Sequence, residues 1–426
     1  ASGSRRRHGT SFSVVSLNSD GSHSNTGSSS SPQPTVTLRL ENVLNAQYHG
    51  EISIGGQQFK AIYDTGSFDV LVLSKLCQGC RETWRAPAYD SQASQSFRPG
   101  NGKVTSLLYG SGTIEARQDM ESLSLGTLTS PFKSKDVPFW QVVGHNLPFL
   151  NTELGGQFSV IAGLCYPKHV PAEFAVGTSD ATLVDRLSIE SFAFCLPSAS
   201  SSPGFLTVGP LQALLTSSDH FLAVPVATKS HWAVHVDNVA FGFTSLDDVC
   251  NPSCAALIDS GSSMLLVPPA VMAAFERYVP AAALPFRCEG ISKLPDLVLK
   301  IGGHRIVLPP TAYMVEDASY PGGAGACLPA MRAVDRPSGL GPLWSLGIPF
   351  LRQYYTVFDR SGPRLHVSDG PRDCQQHAAA SQPPSQAVNL VTPGSEVSNQ
   401  RQAARPARVD MRAFRLPSWA QAARFS

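Results

Sequence analysis

Between Val36 and about Val367, short apolar runs are broken by Gly, Pro, Asn or Asp every ~8–12 residues, a spacing that predicts strands joined by turns. Glu51-Ile52-Ser53-Ile54-Gly55-Gly56 followed by Phe59-Lys60-Ala61-Ile62-Tyr63 reads as a hairpin around a Gly-Gly turn. His231 and His235 stand four apart, but Trp232, Val234 and Val236 alternate with them and predict a strand, not a helical ligand pair. Helical periodicity is confined to Thr182–Leu187 and Pro268–Val279, the second opened by two prolines. Residues 1–35 are rich in Ser, Gly and Asn and lack apolar positions enough to offset ordering entropy; they predict a disordered leader or propeptide remnant. After Cys374 the chain turns to Gln, Ala, Ser and Pro, so 375–426 predicts an unstructured basic tail.

Composition sharpens this picture. Charged residues are 15% of 426, with 35 Gly and 33 Pro, which suits an all-β chain and not a helical bundle. Net charge is +1, but the two ends are basic and the remainder carries 24 basic against 29 acidic residues. No concentrated basic face is expected, so nucleic acid is not a predicted partner. No apolar run approaches the ~18–20 residues of a membrane-spanning helix. Within the tail, Arg408 to Leu416 mixes bases with apolar residues, a composition that suits weak membrane or partner contact. Nine Cys without His partners at ligand spacing predict disulfides in an oxidising compartment, with no metal and no cofactor. The chain opens on Ala1 and not Met, so any signal peptide is expected to have been removed or left out, and the cysteines predict the secretory pathway, with the protein secreted or in an acidic vesicle or secretory organelle.

One motif occurs twice. Ala61-Ile62-Tyr63-Asp64-Thr65-Gly66-Ser67 is echoed by Ala256-Leu257-Ile258-Asp259-Ser260-Gly261-Ser262, the two Asp standing 195 positions apart. Each copy delivers a carboxylate from an apolar strand into a tight turn. Ile161-Ala162-Gly163 follows the first Asp by 99 residues at its Gly, and Trp344-Ser345-Leu346-Gly347 follows the second by 88. Glycine at such strand ends lets another backbone approach closely. The repeated order predicts two related halves, each giving one carboxylate to a shared site, an arrangement that activates water without a metal.

These motifs resemble the pepsin-like aspartic proteases, from about Leu40 to Val367. Leu40-Glu41-Asn42, Tyr109-Gly110-Ser111-Gly112 and Phe350 to Asp359 support the resemblance, as do Cys77, Cys254, Cys288 and Cys327. It implies an all-β, bilobal fold of two β-barrel-like lobes with a few short helices. The lobes would span 36–220 and 221–374, as a monomer. It implies an aspartic endopeptidase acting on extended peptides, with Asp64 and Asp259 as the catalytic pair. Thr65 and Ser260 would cross-link the two turns, Ser67 and Ser262 would bond the outer carboxylate oxygens, and Gly66 and Gly261 would donate backbone N–H groups. Tyr109, with Gly110 and Ser111, would form a flap over substrate, and Ile161 would line the pocket before the cut. Cys77–Cys80, Cys250–Cys254 and Cys288–Cys327 would be bridged. Cys165 and Cys195 lie in apolar runs and are expected as buried thiols, a bridge between them being the lesser expectation, with Cys374 left over.

Three positions depart from the family pattern. Leu71 stands where a tryptophan usually restrains the flap tyrosine, and Ile348 stands where an aspartate usually follows Leu-Gly. No Lys precedes Lys60, so the usual prosegment lysine of a zymogen is not visible. The first two favour an alternative, a catalytically inactive pepsin-like peptide-binding protein. The intact pair and its Thr, Ser and Gly neighbours oppose it.

Overall fold

The structure, a computed structural model, describes residues 34–80, 84–109, 112–147, 157–165, 181–198, 202–216, 221–228, 230–317, 325–370, 374 and 406–409. Within them the chain is mostly strand. A 13-stranded sheet, a nine-stranded sheet and a four-stranded sheet account for the strands, and the helices are short. No described helix is long and apolar enough to cross a membrane. Helices form at Leu183–Arg186 and Pro269–Glu276, where the periodicity predicted them. Proline at the start of the second suits a first turn whose N–H groups have no intrahelical partner.

The two Asp motifs share one topology. The strand Gln57–Asp64 runs parallel to Val160–Gly163, and Val70–Leu73 lies antiparallel on the other side of that strand. In the second half Cys254–Ile258 runs parallel to Gly341–Leu346, and Leu265–Val267 lies antiparallel on its far side. Each chain segment therefore enters beside a central strand, turns at its Asp, and returns along the opposite edge. Val70-Leu71-Val72-Leu73 is buried throughout, as a strand covered on both faces must be. The predicted glycines stand where backbones meet. A Cβ on Gly163 would lie 2.6 Å from the Ser67 carbonyl, and one on Gly347 would lie 2.3 Å from that of Ser262.

The chain does not divide its sheets at one point. Phe221–Pro225, Thr356–Asp359 and Arg364–Ser368, all late in the sequence, pair into the same large sheet as Ser191–Cys195. Phe192 stacks on Phe358 at 4.8 Å, and Trp232 meets Phe358 edge-on at 5.1 Å. One apolar core consequently joins both halves, containing Tyr63, Phe192, Trp232, Ile258 and Phe358 together.

Four disulfides are present. Cys77–Cys80, Cys250–Cys254 and Cys288–Cys327 match the expected pairs. Cys195 is not a free thiol: it is bridged to Cys374, 179 residues away. The strand Ser191–Cys195 pairs with Thr356–Asp359, which pairs in turn with Arg364–Ser368, the strand that leads to Cys374, and this brings the two sulfurs within reach. Cys165 takes no part in a disulfide; it is buried, and its Sγ donates to the Ser230 carbonyl at 3.2 Å. The tail also departs from the unstructured expectation at one place. Arg408–Val409 forms a strand parallel to Met314–Asp317, at the edge of the four-stranded sheet.

Candidate active site

The Asp64 turn and the Asp259 turn interlock. Thr65 N–H donates to Ser260 Oγ at 3.0 Å, and Ser260 N–H donates to Thr65 Oγ1 at 2.9 Å. Each hydroxyl then donates across to the opposite strand, Thr65 Oγ1 to the Ile258 carbonyl at 2.8 Å and Ser260 Oγ to the Tyr63 carbonyl at 2.6 Å. All four groups are buried, so the reciprocal bonds satisfy donors that would otherwise be costly to desolvate. Ser263 adds a further tie, its Oγ donating to the Ala46 carbonyl at 2.7 Å.

This interlock sets the two carboxylates against each other. Asp64 and Asp259 are 3% and 1% exposed. A Cβ on Gly66 would stand 2.6 Å from the Asp259 carboxyl carbon, and a Cβ on Gly261 would stand 2.2 Å from an Asp64 oxygen. Only glycine permits that approach. Each carboxylate accepts from its own turn as expected: Gly66 N–H to Asp64 Oδ1 and Gly261 N–H to Asp259 Oδ1, both at 2.9 Å.

The outer oxygens differ between the halves. Ser67 Oγ donates to Asp64 Oδ2 at 2.9 Å. Ser262, expected in the matching place, instead donates to the Met264 carbonyl at 3.0 Å. Its turn folds back on the chain, and the hydroxyl bonds locally. Ser345 Oγ, at a long 3.5 Å, is the hydroxyl facing Asp259 Oδ2. Sequence reading passed over Ser345; its signal was a lone hydroxyl in the apolar run Leu343 to Leu346, at the position Ile161 occupies in the first half. Ile161 is 2% exposed and packs with Leu71, Leu107 and Trp140.

Leu71 does not leave the first half without an indole. Trp140, on the adjacent strand and in register with Leu71, donates its indole N–H to Asp69 Oδ1 at 3.0 Å. Burial pushes the Asp69 carboxyl up to about 6, against the opposing effect of that bond. Phe68, between Ser67 and Asp69, meets His231 edge-on at 4.9 Å. His231 lies next to Trp232, whose carbonyl accepts from Ile258 N–H, so it flanks the Asp259 turn. Burial holds the imidazole down to about 4. Ile348, in the aspartate position of the family, is 2% exposed and begins the buried helix Ile348–Gln353.

Val104–Tyr109 and Gly112–Leu125 form a hairpin closing at the Tyr109–Gly112 pair. Gly110 and Ser111 lie outside the described residues, as does the Tyr109 side chain. A cavity of about 490 Å³ opens beside the hairpin's second strand, lined by Cys77, Cys80, Thr113, Glu115, His145 and Asn146 among others.

Comparison with known proteins agrees with the geometry. A family model described as eukaryotic aspartyl protease matches residues 47–369. A cathepsin D of Clupea harengus is 28% identical over 353 residues, covering 80% of this chain and 85% of the relative. A pepsin A of Canis lupus familiaris is 29% identical over 353 residues, covering 79% and 85%. Human cathepsin D is 30% identical over 364 residues, covering 80% and 84%. With its paired Asp turns and a match over most of its length, the chain belongs to the eukaryotic aspartyl protease family.

Proposed function

We propose that this chain is an aspartic endopeptidase, with Asp64 and Asp259 as its catalytic pair. The observation that carries the reading is the reciprocal close approach of Gly66 to Asp259 and of Gly261 to Asp64. The mechanism uses the pair with one carboxyl protonated and the other ionised. The ionised member takes a proton from a water molecule as that water attacks the peptide carbonyl carbon. The protonated member donates to the carbonyl oxygen as negative charge develops there. The tetrahedral intermediate then collapses, the C–N bond breaks, and the amine leaves with a proton. No covalent enzyme intermediate forms.

The neighbours act by position. Thr65 and Ser260 hold the two turns rigid, which keeps the carboxylates in the geometry the water needs. Ser67 fixes the outer oxygen of Asp64, and Ser345 makes a longer contact to that of Asp259. Tyr109, Gly110 and Ser111 are proposed to close over the substrate and exclude water. The substrate is an extended peptide with apolar residues near the cut, bound as a strand. Four disulfides support work in an oxidising secretory compartment or acidic vesicle.

The test is cleavage of an apolar peptide library across roughly pH 3–7, a range whose acid end lies between the two ionisations of such a pair. Asp64→Asn serves as the control. Turnover that disappears in the variant supports the reading; no turnover at any pH, or turnover that survives the substitution, rejects it.

A further inference from the structure

The tail strand is the one part of residues 375–426 with a described place in the fold, and that place joins the two halves. Ala407 offers its carbonyl to Glu316 N–H at 2.9 Å, and Arg408 and Val409 lie in register with Glu316 and Asp317. From the other side Asn45 Nδ2 donates to the Arg408 carbonyl at 2.6 Å. Asn45 is prepared for this contact. Asn42 Nδ2 donates to Asn45 Oδ1 at 2.9 Å, which fixes the amide with its N–H₂ toward the tail. Ala407 also packs against buried Val315 and Ala330. Two acids in a row on the receiving strand, Glu316 and Asp317, suit a tail segment with six Arg against one Asp and one Glu.

The receiving surface adjoins the Asp259 turn. Asn45 precedes Ala46, whose carbonyl accepts from Ser263 Oγ, and Ser263 directly follows Ser262. Without the tail, Met314–Asp317 would present an open strand edge, which binds any extended chain by backbone hydrogen bonds.

We propose that the Met314–Asp317 edge and Asn45 form a docking surface for an extended peptide strand. Its resident occupant is the chain's own segment Pro406–Val409. The part of a peptide substrate remote from the cut competes with that segment for the same edge, so the tail acts as a tethered competitor. This rests on the endopeptidase reading.

The test uses full-length protein in two variants. Val409→Pro removes the donor that a parallel partner offers the strand edge, and Ala407→Asp sets a charge against buried Val315 and Ala330; both changes lie on the tail and leave the receiving surface as it is. Each is expected to lower KM for a long peptide about 3- to 10-fold, the effect of weakening the competing tail by the worth of one or two hydrogen bonds. The value of kcat stays unchanged. A synthetic peptide of residues 401–416, added to either variant, restores the higher apparent KM competitively. Docking is read separately in the inactive Asp64→Asn chain by hydrogen exchange at Glu316 N–H, which speeds up when Val409→Pro is added. Unchanged exchange at Glu316 overturns the docking surface. Faster exchange with KM unchanged or raised in both variants overturns the competition. Absence of turnover in every active-site-intact chain rejects the endopeptidase reading instead, and leaves the exchange result to decide the docking.

Discussion

Asp69 follows Phe68, whose ring meets His231, yet burial acts on the two titratable groups in opposite directions. The Asp69 carboxyl ionises at about 6 in the folded chain against an ordinary 3.8. Between those values the folded chain holds a proton that the unfolded chain has released. The stability Asp69 contributes is therefore complete below pH 3.8 and lost as pH rises through 6. His231 ionises at about 4 against an ordinary 6.5, so here the unfolded chain holds the extra proton. Its contribution is complete above pH 6.5 and lost as pH falls through 4. Fully expressed, either displacement is worth about 3 kcal/mol, and the partial exposure of both side chains reduces this to about 1–2 kcal/mol. The two slopes offset each other across the mildly acid range. Asp69→Asn keeps an oxygen for the Trp140 indole but removes the titration. It is expected to leave stability unchanged near pH 4 and to raise it by about 1–2 kcal/mol near pH 6.5. His231→Gln is expected to do the reverse, stabilising by a similar amount near pH 4 and leaving pH 6.5 unchanged. Urea unfolding of each variant at both pH values, in an Asp64→Asn background to prevent self-cleavage, measures this directly. The reasoning is refuted if either variant shows the same stability change at both pH values, or if both tilt the same way.

Two further substitutions probe the interlock and the frame. Ser260→Ala strips the acceptor from buried Thr65 N–H and the donor from the Tyr63 carbonyl, so a loss of about 2–4 kcal/mol is expected in urea unfolding, with kcat falling more than KM changes. Replacing Cys195 and Cys374 together by Ala opens a loop of 179 residues and should cost about 2–5 kcal/mol, read as a lower Tm; replacing Cys77 and Cys80, three apart, should cost far less.

The sequence was most legible where chemistry constrains single residues. Asp64 and Asp259 announced themselves by repetition, and Gly163 and Gly347 by a strand end that no side chain fits. What stayed hidden depends on which strands become neighbours. Cys195 and Cys374 are ordinary apolar-run and tail positions until Ser191–Cys195 and the late strand pair share a sheet. Trp140 carries no mark of its role, because its bond to Asp69 follows from the register of two distant strands. Ser262 misled for a related reason: its motif matches Ser67, but a local bond to Met264 captured the hydroxyl. The Arg408–Val409 strand lay in a composition that predicts no order by itself, and its order comes from an edge supplied by Met314–Asp317.

The reciprocity of the two turns has a consequence for the chain as it is made. Thr65 cannot find Ser260 until residues almost two hundred positions later exist, and Gly347 must arrive before the second turn is backed. The late strands Thr356–Asp359 and Arg364–Ser368 then close a sheet begun by the first half. A nascent or truncated chain thus carries one aspartate in a half-built turn. The paired turns are complete only when nearly all of the protein has been synthesised and folded.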